Sequence, residues 1–257
     1  FIQVPVNISA IDLDQDGKQE IIASASQGGG PNVRVFDGFG NLKLSFFAFD
    51  ANNRGGVSIT SANVSEYMLK VKKLLHVEQF DNLIITGAGN GLNPEIKMFD
   101  KNKVFQSFPV LSVKNNNGLQ VNVIDLGGDG VQELLISSQD LDKNWLDIYR
   151  IDGSLINRFV SFENSPKLFH VEQFENLLPL DITACDTNQD QKDEIIVGAG
   201  FLQSPEIKIF DGFSQLLKKS LVFDDNLKGG VSLVCGDVDG DKKPEIIISL
   251  KTYPQII

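Results

Sequence analysis

The sequence is poor in the residues on which most covalent and catalytic chemistry depends. It contains two cysteines, two histidines and one tryptophan among 257 residues, and two cysteines are too few for a disulfide scaffold. Cys185 and Cys235 each come one or two residues before an aspartate-rich loop, on what are expected to be neighbouring buried strands. We therefore expect free thiols in the core rather than a bridge.

The usual catalytic sets are also missing. His76 and His170 lack the further histidines or cysteines that would complete a transition-metal site, so a surface or turn position is the simpler interpretation. The sequence has no Gly-x-Ser-x-Gly elbow and no credible Ser/His/Asp set. From the sequence alone we predict that the protein is not an enzyme.

Basic charge and long apolar runs are lacking as well. The net charge of −11 argues against nucleic acid or an anionic membrane as the main partner, because both need a basic footprint. No apolar run approaches the roughly 18 residues of a membrane-spanning helix, so no membrane insertion is expected. The first residues lack an initiator methionine and the layout of a signal peptide, and we interpret the chain as processed or as an excerpt of a longer one.

The most informative stretch is an acidic loop at residues 12–20, which we call loop 1. Gly17 stands at its sixth position, where a sharp turn requires positive φ, and Lys18 at the seventh would contribute its backbone carbonyl. Oxygens that converge from a short loop are the ligands that Ca²⁺ prefers, and the β-branched pair after the loop predicts a strand-loop-strand site. The carboxylates at positions one, three, five and nine are Asp12, Asp14, Asp16 and Glu20.

Three further loops repeat this pattern: loop 2 (residues 125–133), loop 3 (186–194) and loop 4 (237–245). We expect loop 2 to be the weakest site, because Gly127 occupies its third position, where the other loops have a ligand side chain. The alternative for every loop is a polar turn whose side chains cap their own backbone. The predicted ligands, with the seventh residue acting through its carbonyl, are Asp125, Asp129, Val131 and Glu133 in loop 2, Asp186, Asn188, Asp190, Lys192 and Glu194 in loop 3, and Asp237, Asp239, Asp241, Lys243 and Glu245 in loop 4.

A second motif, an apolar strand that ends in an aromatic residue and an aspartate, recurs about every 60 residues. In the first repeat the apolar pattern predicts four strands, near residues 8–11, 20–24, 32–36 and 42–49. We therefore predict an all-β protein, a β-propeller of four-stranded antiparallel blades with four full repeats and a partial fifth. In the second repeat, residues 63–73 replace the acidic loop, so that blade should bind no calcium.

The predicted blade boundaries follow from the same repeat. The last blade is either completed by residues 1–7, which closes the ring, or belongs to a larger ring. The approximate blades are 8–56, 57–118, 119–178, 179–230 and a partial 231–257.

The order of these motifs resembles a known family. An acidic loop, a glycine-rich turn and a strand that ends in Phe-Asp-Gly are similar to the FG-GAP or VCBS-type repeat, the blade of propellers like that of the integrin α-subunit. Residues 26–38 and 198–212 carry the resemblance well. The resemblance implies calcium in the blade loops, a place outside the cell or on its surface, and a role in adhesion or recognition.

We therefore expect a calcium-stabilised, non-catalytic extracellular propeller that acts in adhesion, recognition or assembly. Its partner would be a protein or a glycan bound on a propeller face. Three alternatives stay open. They are a calcium-dependent, lectin-like propeller, a filament or surface-layer subunit that associates through open strand edges, and an accessory domain of a secreted enzyme.

Overall fold

The computed structural model describes residues 4–64, 82–100, 104–110, 116–139, 143–163, 180–200 and 203–251. Within these ranges the chain is all-β, as predicted. No helix of the described part is long and apolar enough to cross a membrane. The strands are β1 (Val6–Ile11), β2 (Glu20–Ala25), β3 (Asn32–Phe36), β4 (Leu42–Phe47), β5 (Val57–Asn63), β6 (Asn82–Ala88), β7 (Glu95–Phe99), β8 (Val104–Pro109), β9 (Leu119–Ile124), β10 (Glu133–Gln139), β11 (Lys143–Tyr149), β12 (Leu155–Glu163), β13 (Ile182–Cys185), β14 (Glu194–Gly198), β15 (Glu206–Phe210), β16 (Leu216–Leu221), β17 (Val231–Gly236) and β18 (Glu245–Leu250).

The strands form sheets in chain order. Four sheets have four strands each, which we number sheet 1 (β1–β4), sheet 2 (β5–β8), sheet 3 (β9–β12) and sheet 4 (β13–β16), and β17 pairs with β18 in sheet 5. The registers that we describe are antiparallel, as in the pairing of Ile22 with Val35. The four strands predicted for the first repeat are confirmed, although β4 ends at Phe47 and β1 begins at Val6.

The chain divides into two compact units. Unit 1 comprises residues 1–123 and 130–132, and unit 2 comprises residues 124–129 and 133–257. Each has its own apolar core: side chains of sheets 1 and 2 pack together in unit 1, and those of sheets 3, 4 and 5 form two clusters in unit 2. Sheets packed face to face are how strands with one or two apolar faces bury them.

Sheets 1 and 4 differ in the apolar side chains that they leave exposed. In sheet 4, the successive residues Ile195 and Ile196 point to opposite faces and both are fully buried. In sheet 1, Ile22 is buried but its neighbour Ile21 is exposed, together with Ile8. One face of sheet 1 is therefore apolar and open to solvent.

Lysines on the third strand of a sheet join it to the preceding sheet. Lys97 on β7 lies over the ring of Phe49, with Nζ 4.7 Å from its centroid, and Lys208 on β15 lies 3.9 Å from that of Phe162. Lys208 also donates to the carbonyl of Ser161 at 2.8 Å. Burial lowers the pKa of Lys208. Each unit thus repeats one cation–π contact between successive sheets.

The expectation of free cysteines is wrong, because Cys185 and Cys235 form a disulfide. Cys185 ends β13 and Cys235 lies in β17, the first strands of sheets 4 and 5. Their Cα atoms are 6.3 Å apart, a separation that a disulfide can span. Both residues are half-buried, so they are not the apolar core positions that the sequence interpretation assumed.

Two sequence-based expectations fall on other parts of the chain. His76 and His170 lie outside the described residues, as does most of the 63–73 segment expected to lack a calcium loop. Asn63, at the start of that segment, is the last residue of β5.

Candidate metal-binding loops

The four acidic loops share one backbone conformation despite their different sequences. Each has positive φ at its fourth and sixth positions, as the glycine at position 17 predicted for loop 1. The pairs are Gln15 (62°) and Gly17 (86°), Gly128 (67°) and Gly130 (76°), Gln189 (64°) and Gln191 (73°), and Gly240 (82°) and Lys242 (71°). Loops 1, 3 and 4 therefore hold side-chain-bearing residues in a conformation that disfavours them, whereas loop 2 has glycine at both positions.

Hydrogen bonds from backbone amides set the carboxylates in place. In loop 1, Asp12 accepts from the amide of Gly17 at 2.9 Å, and Glu20 accepts from that of Leu13 at 2.9 Å. The ninth-position glutamate accepts from the second-position amide in all four loops, at 2.8–3.2 Å. Asp and Asn side chains commonly stabilise turns in this way. These bonds fit the polar-turn alternative as well as a metal site.

Loop 1 brings three of its four predicted carboxylates together. Oxygens of Asp12, Asp14 and Glu20 lie within 4.8 Å of one another. Asp16 is not in this group, and its Oδ1 accepts from the amide of Lys18 at 2.9 Å. Ca²⁺ takes about 6–8 oxygens, so the three carboxylates would supply part of the coordination and the carbonyl of Lys18 and water are the remaining candidates.

A lysine from another strand already contacts this cluster. Lys43, on β4, donates to Asp14 at 2.7 Å and to Glu20 at 2.9 Å. These hydrogen bonds, that to Asp14 first, raise the pKa of Lys43 well above its usual range. Glu20 is only 3% exposed, so the ammonium offsets a buried carboxylate charge. The protein itself thus supplies one cation to loop 1.

Loop 4 brings together the same three positions without a lysine of its own. Oxygens of Asp237, Asp239 and Glu245 lie within 4.8 Å of one another. Among the described residues, no ion pair reaches any of these three carboxylates, and the nearest lysine contact is that of Lys243 with Asp241 at 4.0 Å. The three negative charges of loop 4 therefore face solvent without a protein cation.

In loop 3, uncharged donors form hydrogen bonds to both carboxylate oxygens of the glutamate. Asn188 Nδ2 donates to Glu194 at 2.6 Å, and Thr187 donates to the other oxygen of Glu194 from both its amide (2.8 Å) and its hydroxyl (2.6 Å). Asp190 contacts the amide of Lys192 at 2.9 Å. In the described part of the chain, loop 3 does not form a three-carboxylate cluster.

Loop 2 also forms no such cluster within the described residues. Asp125 accepts from the amides of Gly128 at 2.7 Å and Asp129 at 3.2 Å. Burial raises the pKa of Glu133. The carbonyl of Val131 keeps the role of a predicted ligand, as do those of Lys192 and Lys243.

Asp193 connects loops 2 and 3, a contact that no motif in the sequence predicts. Its carboxylate accepts from the amide of Asp125 at 2.8 Å, and its own amide donates to the carbonyl of Asp125 at 3.0 Å. Burial raises the pKa of Asp193. The one available signal was that Asp193 is the only acidic residue at the eighth position of any loop.

The donors of the two clusters fit a hard cation. All are carboxylate oxygens, with neither sulfur nor imidazole, and such ligands suit Ca²⁺ and Mg²⁺ rather than zinc or copper. Loops 1 and 4 could therefore each hold a metal ion. They differ in that a cation entering loop 1 must displace the Lys43 ammonium.

Comparisons with known proteins place the fold among solved structures. No protein-family model and no curated protein matches the chain. It is similar to the rhamnogalacturonan lyase PL11 of Bacillus licheniformis, with 12% sequence identity and a TM-score of 0.50. It also matches rhamnogalacturonan lyase YesW (12% identity, TM-score 0.49) and BBS1N in complex with ARL6DN (9% identity, TM-score 0.42). These matches cover 95% of the chain, which spans 55% of each lyase and 88% of BBS1N.

The match to the PL11 lyase corrects the prediction that the protein is not an enzyme. At 12% identity the likeness to the PL11 lyase shows the fold alone, and that fold occurs in an enzyme. The prediction rested on the absence of nucleophile-and-base sets and of histidine-rich metal sites. Carboxylates also act as catalytic acids and bases, so the lack of nucleophile-and-base sets does not exclude catalysis in a chain this rich in Asp and Glu.

Proposed function

We propose that the chain is a β-propeller module of the FG-GAP type, in which calcium bound by the acidic loops rigidifies the sheets. The module would serve adhesion, recognition or assembly outside the cell or on its surface. In this proposal calcium has a structural role: it turns mobile acidic turns into fixed corners between the first and second strands of a sheet. The four-stranded antiparallel sheets in chain order support the propeller.

The carboxylate cluster of loop 4 carries the proposal. Asp237, Asp239 and Glu245 hold three negative charges within a few ångströms and have no described cationic partner. Like charges at such distances repel strongly unless a cation lies between them. A divalent ion would remove this repulsion and satisfy the oxygens that face away from the backbone amides.

The disulfide supports an extracellular location. Disulfides persist in oxidising compartments and are rare in the reducing cytosol. The bond between Cys185 and Cys235 therefore favours secretion or surface display. This support is independent of the family resemblance, which rests on other residues.

Exposed aromatic side chains mark a candidate contact point for a partner in each unit. Phe39 and Phe213 stand at equivalent tips of the turns between third and fourth strands, and are 91% and 78% exposed. Asp37 and Asp211 fix these turns by accepting from the amides of the two phenylalanines, each at 2.9 Å. Because the sheets are antiparallel, the turns lie at the same end of each sheet as the acidic loops. Rigid, exposed aromatic residues are typical binding anchors.

Calorimetry in calcium and in EGTA tests the proposed function. At about 100 times the dissociation constant, calcium would stabilise the fold by about 2.7 kcal/mol, which is roughly 5–10 °C in Tm for a chain of this size. The Asp237→Asn/Asp239→Asn variant should lose most of the shift that loop 4 contributes. The matched Asp12→Asn/Asp14→Asn variant should lose less, because Lys43 already offsets the charge of loop 1. A melting curve that is the same in calcium and EGTA would refute the proposal.

Binding through the aromatic tips is tested separately. Phe39→Ser/Phe213→Ser should leave Tm within about 1 °C of the parent, since both side chains are exposed, while removing binding to glycans or extracellular proteins on an array. Unchanged array binding would place the partner elsewhere on the protein. A Phe46→Ser variant should instead lower Tm, because Phe46 is partly buried against the core of unit 1, and it serves as the control for folding.

A second candidate function follows from the comparisons. The fold is shared with a rhamnogalacturonan lyase of which the chain spans 55%, so the chain could form part of a secreted polysaccharide-acting enzyme. Incubation with rhamnogalacturonan, with the polymer length followed by size-exclusion chromatography, tests this candidate. Shortening of the polymer, or binding of the polymer measured by calorimetry, supports the candidate. The absence of both effects in calcium-loaded protein contradicts it.

A further inference from the structure

We propose that the Cys185–Cys235 disulfide, which lies between loops 3 and 4, controls metal binding by loop 4, so that its reduction weakens the affinity of loop 4 for Ca²⁺. The inference rests on the proposed function, because it requires that loop 4 binds calcium. It adds a regulatory link between the redox state of one bond and one metal site.

The disulfide lies directly behind both loops. Cys185 is the residue before Asp186, the first ligand position of loop 3, and it pairs across the sheet with Glu194, the ninth. Cys235 lies in β17 beside Gly236, which pairs with Glu245, the ninth position of loop 4. The covalent bond thus joins the two strand ends from which both loops extend.

The other described bonds between these strands lie at their opposite ends. Asp181, just before β13, accepts from Ser232 Oγ at 2.7 Å and from the amide of Leu233 at 3.3 Å. Lys251 Nζ lies 3.3 Å from the same carboxylate oxygen. Breaking the disulfide would therefore remove the covalent link at the end that carries the loops, where the apolar packing of Cys185 and Ile246 remains, and would leave the polar contacts at the far end unchanged.

Sheet 5 is the part of the fold most dependent on such a link. In the described part of the chain it has two strands, whereas each of the other sheets has four. A two-stranded hairpin is marginally stable without support from neighbouring elements. The disulfide supplies that support at the loop end, where loop 4 connects the two strands.

Unit 1 offers an internal reference. Ser61, the fifth residue of β5, stands where Cys235 stands in β17, and its hydroxyl lies 2.8 Å from that of Ser9 on β1. Ser61 also donates to the carbonyl of Ala10 at 3.2 Å. Hydrogen bonds thus join the first strands in unit 1, where unit 2 has a disulfide. Loop 1 should therefore be insensitive to redox state.

The redox step is a thiol–disulfide exchange with a dithiol reductant. One thiolate of the reductant attacks a sulfur of the bond, which releases one cysteine thiolate and forms a mixed disulfide. The second thiolate of the reductant then attacks this mixed disulfide and releases the other cysteine thiolate. The protein gains two electrons and two protons as two cysteine thiols, and the reductant becomes a disulfide. Linkage requires reciprocity: if oxidation tightens calcium binding by a given factor, calcium disfavours reduction by the same factor.

Calcium titrations of oxidised and reduced protein test the inference. The protein carries Asp12→Asn/Asp14→Asn, so that loop 1 does not contribute, and is titrated by calorimetry before and after treatment with dithiothreitol, with thiol counting to verify reduction. We expect affinity to fall roughly tenfold on reduction, within the usual range of coupling between sites. The Cys185→Ser/Cys235→Ser variant should match the reduced protein. The reciprocal experiment measures reduction at equilibrium in a dithiol buffer with calcium or EGTA.

The outcomes are distinct. No binding by the oxidised protein would refute the proposed function itself. Calcium binding of equal affinity in both redox states would overturn only the disulfide inference. Hydrogen exchange distinguishes local loosening near the loops from general unfolding. Faster exchange confined to β17, β18 and loops 3 and 4 supports the inference. Loss of protection throughout sheet 4 would mean general unfolding and would overturn it. The same titration with loop 1 intact and loop 4 neutralised should show no redox-dependent change in loop 1.

Discussion

Loops 1 and 4 contain the same three clustered carboxylates but balance their charge differently. In loop 1, the ammonium of Lys43 bridges Asp14 and the buried Glu20. In loop 4, no described lysine contacts Asp239 or Glu245. A complete acidic motif therefore does not by itself identify the loop with the least compensated charge. Loop 1 has the most complete motif and a lysine that offsets part of its charge, so we expect loop 4 to depend more strongly on an ion from solution.

The largest expected effect comes from removing the disulfide that supports loop 4. Cross-linking residues that are 50 positions apart stabilises a fold by about 4 kcal/mol in the chain-entropy model. Cys185→Ser/Cys235→Ser should lower the free energy of unfolding in urea by about that amount. Ser9→Ala/Ser61→Ala removes the corresponding hydrogen bond of unit 1 and should cost about 1 kcal/mol. Equal losses in the two variants would contradict the difference drawn between the units.

The second prediction removes the cation from loop 1. Lys43→Met should lower Tm by a few degrees in EGTA, because Glu20 then stays buried without its ammonium. Loop 1 of the same variant should bind calcium roughly tenfold more tightly or better, because the ion no longer competes with a positive charge a few ångströms away. Calorimetric titration in an Asp237→Asn/Asp239→Asn background isolates loop 1.

Lys18→Met is the matched control for this prediction. Lys18 lies in the same loop and carries the same charge, but its side chain is exposed and its predicted role is that of a backbone carbonyl. It should change calcium affinity by less than about threefold, the screened effect of one exposed charge. If Lys18→Met and Lys43→Met behave alike, the ammonium of Lys43 does not compete for the site.

The sequence predicts the parts of this molecule that depend on neighbours along the chain. Strands follow from apolar alternation, and the acidic loops follow from ligand spacing with a turn at position six, so loops 1 to 4 were found without a structure. Lys43, Asp193 and the disulfide were missed because each depends on register between strands. Lys43 is 23 residues beyond Glu20, its partner, and no local pattern predicts that distance. The expected free cysteines were wrong for the same reason.

A third prediction exchanges the turn residues of the two loops. Lys242 holds positive φ (71°) where loop 1 has Gly17 (86°). Lys242→Gly should stabilise the protein by about 1 kcal/mol, since glycine adopts this conformation freely. Gly17→Lys should cost about as much. A Cβ at position 17 would meet nothing within 4 Å, so its cost is conformational rather than steric. Urea unfolding in EGTA measures the free energy of unfolding of both variants. The changes must have opposite signs for the prediction to hold.

The smallest effect concerns loop 2, which forms no three-carboxylate cluster among the described residues. Burial raises the pKa values of Glu133 and of Asp193, its neighbour from loop 3. The folded state therefore binds more protons than the unfolded state at pH values above the ordinary carboxyl pKa of about 4. The stability that these groups confer is complete below that pH and is lost as pH rises through their raised pKa values.

Stability curves from pH 4 to 7 in EGTA test this sign. Glu133→Gln/Asp193→Asn should flatten the decline by less than about 1 kcal/mol, because both groups are partly solvated. Asp225 gives the opposite case: hydrogen bonds from Ser204 and Lys228 lower its pKa, so the stability it confers is lost as pH falls. Asp225→Asn should therefore shift the acid side of the curve in the opposite direction. A steeper decline in the Glu133→Gln/Asp193→Asn variant would mean that loop 2, like loop 4, depends on ionised carboxylates.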